Sequence, residues 1–377
     1  MLFSHLALYF QKLEHTPSRN SMTEILSDLF SHATSEEIGK ICYLLLGRVA
    51  PLYEAVEFGI ADKFMIRAIA ESYKDSKEKV LAVFKKTGDV GTTAEQLYTG
   101  RDKKLSVNDV YARLYHITQT GGVGSQEKKI ELLADLLAQV DALSARYVGR
   151  IPLDKLRLGF SDMTMLDSLS WMLAHDKSER GRLEDAYNVR PDIGYIAESV
   201  KLHGILGLSH VKAKVGAPIL ASLCQRLPSA DEMIKKMHVV AVEPKYDGVR
   251  VQIHFQQPDS SLRSPIVKTF SRNLENTTEM FSEVQDIGKQ LDAQEVILDG
   301  EAIGVDPKTG RLTSFQQTMT RKRKHDIAAT RSAMPLKFFV FDILYKDGKE
   351  LLNTPLSARR TVLEKTVRKG AILVISP

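Results

Sequence analysis

The stretch richest in chemistry is Glu243-Pro244-Lys245-Tyr246-Asp247-Gly248-Val249-Arg250. A lysine stands just before an Asp-Gly pair, and a strand-like alternation follows. A lysine between two strands points its amine into a pocket at the rim of a sheet. To act as a nucleophile that amine must be neutral, a state that neighbouring cations, desolvation or a metal promote. Arg250 has the planar fork that holds a phosphate or carboxylate bidentately. An isolated Asp-Gly is more often the turn of an ordinary hairpin with a solvated lysine beside it. On these residues alone both readings stand.

Other chemistries are poorly represented. The ten histidines show neither H-x-x-x-H nor H-E-x-x-H spacing, so a zinc site built by the protein is not expected. No G-x-x-x-x-G-K-[ST] occurs, which excludes a P-loop enzyme. The two cysteines, Cys42 and Cys224, are too few for a disulfide framework and fit a reducing, cytoplasmic setting. Asn276-Thr277-Thr278 is a glycosylation sequon by pattern only. No apolar run reaches the ~18 residues of a membrane span, and Met1–Thr16 lacks the features of a secretory signal.

The elements that must position Lys245 change character along the chain. Apolar residues recur at helical spacing through Met22–Phe30, Ile38–Leu46, Gly59–Tyr73, Lys129–Val140 and Leu166–Leu173. Thr34-x-x-Glu37, Thr93-x-x-Gln96 and Ser106-x-x-Asp109 read as helix starts. Gly216-Ala217-Pro218 breaks the series. Val249, Val251, Ile253 and Phe255 then alternate with Arg250, Gln252 and His254, predicting a half-buried strand. Ile266–Phe270, Glu295–Leu298, Phe338–Leu344 and Ala371–Ser376 predict further strands, and Ser357 opens a helix to Val367. No repeat with a period of 20–50 residues is visible.

At 377 residues the chain predicts two or three domains. A helical domain over 1–215 and an α+β domain with an antiparallel sheet over 216–377 fit the change in pattern. Residues 1–220 carry 28 Lys and Arg against 28 Asp and Glu, and residues 221–377 carry 24 against 19. The whole excess of +5 therefore lies in the second part, as a polyanionic partner would favour.

Lys245-x-Asp247-Gly248-x-Arg250 resembles motif I of the covalent nucleotidyltransferases: DNA ligases, RNA ligases and mRNA-capping enzymes. Thr269-Phe270-Ser271-Arg272-Asn273, Leu298-Asp299-Gly300-Glu301 and Phe338-Phe339-Val340-Phe341-Asp342-Ile343-Leu344 resemble the next motifs, in family order. The resemblance implies that Lys245 attacks the α-phosphate of ATP and carries AMP. It assigns Glu243 to the adenine edge, Arg250 and Arg272 to the nucleotide, Glu301 to the ribose and to Mg²⁺, and Phe341 to stacking on the base. Ile41–Arg48 with Leu52–Ile69, and Lys155–Phe160 with the helix after it, resemble the DNA-binding domain of archaeal and eukaryotic replicative ATP-dependent DNA ligases. Capping enzymes and most RNA ligases lack that domain.

That resemblance implies nick sealing in duplex DNA, serving replication, repair and recombination, in an archaeal or bacterial cytoplasm, with a sliding clamp as a candidate partner. It leaves the preference for ATP over ADP, GTP or NAD open. Candidate phosphate contacts are Gly124 and Ser125 at a glycine-rich helix start, Lys128 beside them, Lys155 and Arg157, and Arg321 and Arg323 in the densest basic run. The family continues with an acidic motif IV, the motif V lysines and an OB-fold domain, and none has a match here. The expectation is a chain incomplete at its C-terminus, or one that needs a partner chain. A catalytically incomplete DNA-binding fragment is the alternative function.

Overall fold

The computed structural model describes residues 1–258, 264–320 and 334–377. They form two compact units, Met1–Tyr187 with Asp192–Val211, and Asn188–Pro191 with Lys212–Pro377. No described helix is long and apolar enough to cross a membrane.

The first unit is helical and built twice over. Helices α1 (Phe3–Glu14), α2 (Arg19–His32), α3 (Ser35–Leu45), α4 (Asp62–Tyr73), α5 (Lys77–Thr87) and α6 (Val90–Gln96) are followed by six counterparts in the same order. These are α7 (Val107–Gln119), α8 (Ser125–Gln139), α9 (Ala142–Arg150), α10 (Asp162–Ala174), α11 (Arg180–Val189) and α12 (Ile193–His203). Helix α3 packs on α12 as α9 packs on α6, and α2 on α10 as α8 on α4. The chain starts obey the same symmetry: Phe3 N–H donates to Leu105 O (2.9 Å), and Val107 N–H to Met1 O (3.0 Å).

The repeat is written in the sequence at a period longer than 20–50 residues. Gly47-Arg48, Pro51-Leu52, Gly59 and Asp62 are echoed by Gly149-Arg150, Pro152-Leu153, Gly159 and Asp162. Both glycines at the later position need left-handed backbone, with φ 62 at Gly59 and 76 at Gly159.

Capping sets the helix starts. Thr34 and Glu37 close a capping box on α3, as Ser106 and Asp109 do on α7. Helix α6 begins earlier than the Thr93-x-x-Gln96 pattern predicted. Asp89 accepts the Thr92 N–H at 2.7 Å and is the true cap. Each copy braces the other. Asp89 is gripped by Arg150 (2.8 Å), and Asp192, the cap of α12, accepts from Tyr43 (2.5 Å) and Tyr53 (3.1 Å).

The second unit holds a six-stranded sheet. Strands β1 (Val249–Gln256), β2 (Ile266–Ser271), β3 (Glu295–Gly304), β4 (Leu336–Lys346), β5 (Lys349–Glu350) and β6 (Leu373–Ile375) lie in the order β2-β1-β3-β4-β5, with β6 also on β4. Four pairs are antiparallel, but β4 and β6 run parallel, so the sheet is mixed. One face carries the core: Val251, Ile253, Phe255, Leu298, Ala302, Phe338 and Val340, packed with Phe281, Ile287 and Leu363. Leu363 comes from the helix Leu356–Thr366.

Strand β1 is buried on both faces rather than one. Ala213, Val215 and Ile219 pack with Ile297 and Tyr345 on the second face. Gln252 accepts the Ile219 N–H (3.0 Å) and donates back to Ile219 O, while His254 Nδ1 accepts the Gly216 N–H (3.2 Å). The alternation in β1 is polar against apolar, yet its polar side chains serve as ties to a covering segment. The residues before Lys245 also differ from expectation. Positions 239–248 form no strand, and the helix Ala230–Met237 before them buries no residue.

Candidate active site

At the end of the second face away from that covering segment, three neighbouring strands bring polar side chains together. Side chains at alternate positions of a strand share a face, so Asp299 and Glu301 both point there from β3. Arg250 of β1 is the register partner of Glu301. Its guanidinium forks onto Asp299, Nε to Oδ1 at 2.7 Å and Nη2 to Oδ2 at 2.6 Å. The same guanidinium lies 4.5 Å from the ring centroid of Phe341.

Phe341 reaches this position through an irregularity in β4. Asp299 pairs with Asp342 but Gly300 with Val340, leaving Phe341 as the extra residue of a bulge. Bulges re-aim side chains in this way. Asp342, at the bulge, is held by Arg359 from the helix behind, with Nε and Nη2 each 2.8 Å from a carboxylate oxygen. Tyr345, register partner of Ile297 further along β4, belongs to the covered end.

The Lys245 turn docks on these strands. Gly248 donates its N–H to Glu301 Oε1 at 3.2 Å. A Cβ at Gly248 would stand 2.5 Å from Ala302 O and 2.9 Å from Glu301 Cγ, so glycine is required by close approach. Tyr246 stacks on Phe339, with centroids 4.5 Å apart and planes at 27°, and its hydroxyl is 3.2 Å from Ser376 Oγ. Lys245 itself is exposed.

Electrostatics follow from this packing. Burial pushes the Glu301 carboxyl above its ordinary range; Arg250, the Gly248 N–H and, more weakly, Lys245 pull it back. Burial likewise raises Asp299 against the pull of Arg250. Arg250 is held further above its ordinary value, first by its hydrogen bonds to Asp299. The site is therefore a half-buried group of one guanidinium and two carboxylates, with an amine at its edge.

Of the sequence-predicted residues, Arg250, Glu301 and Phe341 come together here, with Lys245 close enough to act on Glu301 electrostatically. Glu243 and Arg272 are exposed; Arg272 follows Ser271, the register partner of Val251, at the Arg250 end of the sheet. Tyr246, Asp299, Phe339 and Arg359 were not singled out by sequence. The i,i+2 spacing of Asp299 and Glu301 was the one available signal, because it puts both carboxylates on one face. As to a divalent ion, Asp299 is engaged by Arg250 and Asp342 by Arg359, which leaves Glu301. One carboxylate with nucleotide phosphates and water satisfies a hard cation such as Mg²⁺, so the donor set fits.

The basic candidates of the helical unit are placed as follows. Gly124 takes φ 80 at the start of α8, with open space around Gly121, Gly122 and Gly124. Ser125 opens the helix, and Lys128 pairs with Glu131 at 2.8 Å. Lys155 is bound to both oxygens of Asp62 (2.7 and 2.9 Å). Arg157 is exposed at φ 57. Arg321 and Arg323 lie outside the described residues.

Comparison with known proteins matches one family model within each unit. The family described as DNA ligase N terminus matches residues 2–170, and the family described as ATP dependent DNA ligase domain matches residues 218–376. A protein of Dictyoglomus turgidum named "Probable DNA ligase" is 40% identical over 377 residues, covering 100% of this chain and 64% of its own length. A "DNA ligase" of Pyrobaculum islandicum is 39% identical over 381 residues, covering 98% of this chain and 63% of its own. Among solved structures, a mycobacterial DNA ligase D complexed with ATP and MES aligns at 27% identity over 36% of this chain and 39% of that one, with a TM-score of 0.27. The chain thus spans about 64% of the length of the curated relatives it matches. With both domain families matched in order and these relatives aligned along its whole length, the chain belongs to the ATP-dependent DNA ligase family.

Proposed function

We propose that this chain contributes the DNA-binding and adenylating parts of an ATP-dependent DNA ligase, and that Lys245 carries AMP. The observation that supports this most is the convergence of Arg250, Glu301 and Phe341 beside the Lys245 turn. In the first step the neutral Lys245 Nζ attacks the α-phosphorus of ATP. A P–N bond forms, the bond to the β-phosphate oxygen breaks, pyrophosphate leaves and the amine proton passes to solvent. AMP then moves to the 5′-phosphate of a nick, and the 3′-hydroxyl displaces it to close the backbone. Arg250 offers fixed positive charge to the nucleotide, Glu301 a carboxylate for the ribose, and Phe341 an aromatic face for the base. Bound at Glu301, Mg²⁺ would offset phosphate charge.

In the helical unit we assign duplex contact to the two symmetry-related turns at Gly59 and Gly159, with the exposed Arg157, and to the α8 start at Gly124 and Ser125 with Lys128. Lys155, tied to Asp62, orients its turn rather than standing free. Two equivalent turns suit the two strands of a duplex, and contacts to phosphates ignore base sequence.

The test is incubation of the chain with α-labelled ATP and Mg²⁺. Acid-stable, hydroxylamine-sensitive label is expected on the protein and is lost in Lys245→Ala. Folded protein without label leaves the reading of a DNA-binding chain without adenylation.

A further inference from the structure

Lys245 sits in a stretch with little to hold it. Residues 241–247 have no regular structure, and Val239 and Val242 are 90% and 89% exposed. Its side chain needs a defined direction to attack phosphorus in line. Two attachments follow it in the chain. Immediately next to the lysine, Tyr246 lies flat on Phe339 with its hydroxyl against Ser376. Three positions on from the lysine, Gly248 donates to Glu301.

We propose that Tyr246 is the positioning residue of the Lys245 amine, acting through its stack on Phe339. The geometry makes this specific. Phe339 is the register partner of Glu301 on one side and of Val374 on the other. Tyr246 therefore lands on the strand that flanks the carboxylate to which Gly248 is tied. Fixing the Tyr246 ring on that strand pins the backbone one residue from Lys245, which restricts the directions its amine can take at the edge of the site, beside Glu301. The ring contact does most of this, and the hydroxyl contact to Ser376 adds direction.

The role rests on the adenylation reading, but its anchor can be measured without it. Amide exchange in the peptide 243–249 is compared with that in β1 and β3 for the unchanged chain, Tyr246→Phe and Tyr246→Ala. Exchange of 243–249 should quicken at least tenfold in Tyr246→Ala and stay near the original in Tyr246→Phe, with β1 and β3 unaffected. Unchanged exchange in Tyr246→Ala overturns the proposal. So does equal loosening of all three regions, which would make Tyr246 an ordinary core residue.

Self-adenylation supplies the second readout. Tyr246→Ala should lower the rate constant ~10–100-fold while KM for ATP moves less than about threefold, with Tyr246→Phe restoring the rate. A rise in KM alone, or no change, overturns the positioning role. If the unchanged chain takes no AMP, the adenylation reading fails, and the exchange experiment still decides whether Tyr246 holds the turn.

Discussion

Arg250 and Asp299 pair diagonally across antiparallel β1 and β3 in a bidentate fork, and the carboxylate side of that pair is only 9% exposed. Asp299→Ala leaves the guanidinium without its fork and free to swing off Phe341. Removing one partner of a buried pair costs 3–5 kcal/mol, and Arg250, which still reaches water, puts this case near ~2–3 kcal/mol. Urea unfolding should show that loss, and ATP binding should weaken at least tenfold. Unaltered binding would mean that Asp299 does not orient Arg250.

Gly248→Ala should fail for a steric reason. Its Cβ would meet a backbone carbonyl, Ala302 O, which cannot move without breaking the pairing of β1 with β3. Overpacking of this kind costs about 1–3 kcal/mol. The thermal midpoint should fall and labelling by ATP should drop by a factor of at least ten. A variant as stable and active as the original would rule out the close approach.

His254 gives the second unit an acid sensitivity. It is wholly buried, and desolvation, aided by the charge of Lys268, lowers its pKa from 6.5 to about 3. Below about pH 6.5 the unfolded chain takes a proton that the folded one refuses, so stability falls as pH drops from about 6.5 toward about 3. His254→Gln should flatten this part of the profile of urea midpoint against pH. An equally steep profile in the variant would place the acid sensitivity elsewhere.

In the helical unit the tie of Arg150 to Asp89 is buried on both sides and also supports the cap of α6. Asp89→Ala removes a cap, worth ~1 kcal/mol, and leaves the buried Arg150 guanidinium with Glu14 as its remaining ion-pair partner, for a combined loss of about 3 kcal/mol. Amide exchange should quicken in α6 and α9 together. Quickening confined to α6 would show that the two copies are not braced through this pair.

What was legible in the sequence was local. Lys245, Gly248 and Arg250 announce themselves because the turn packs them within six positions. Asp299 and Glu301 share a face that strand periodicity already gives. The partners across strands were hidden. Nothing in the spacing says that Phe339 lies under Tyr246, or that Arg359 steadies the bulge before Asp342. Lys155 read as a free cation because its partner, Asp62, is 93 positions away. The polar face of β1 read as solvent-facing because Gln252 and His254 are polar, and their true partners are backbone groups of Gly216 and Ile219. The duplication escaped because its copies stand about one hundred residues apart and share only a few positions.

That duplication has a consequence during synthesis. Helices α3 and α6 find their main packing partners, α12 and α9, only in the second copy. The first copy therefore leaves the ribosome with apolar faces that nothing yet covers. At ~5–20 residues per second, a hundred residues of delay is about 5–20 s of exposure. The unit must then close as a whole, and the nascent first copy is the stage at which a chaperone would have most to shield.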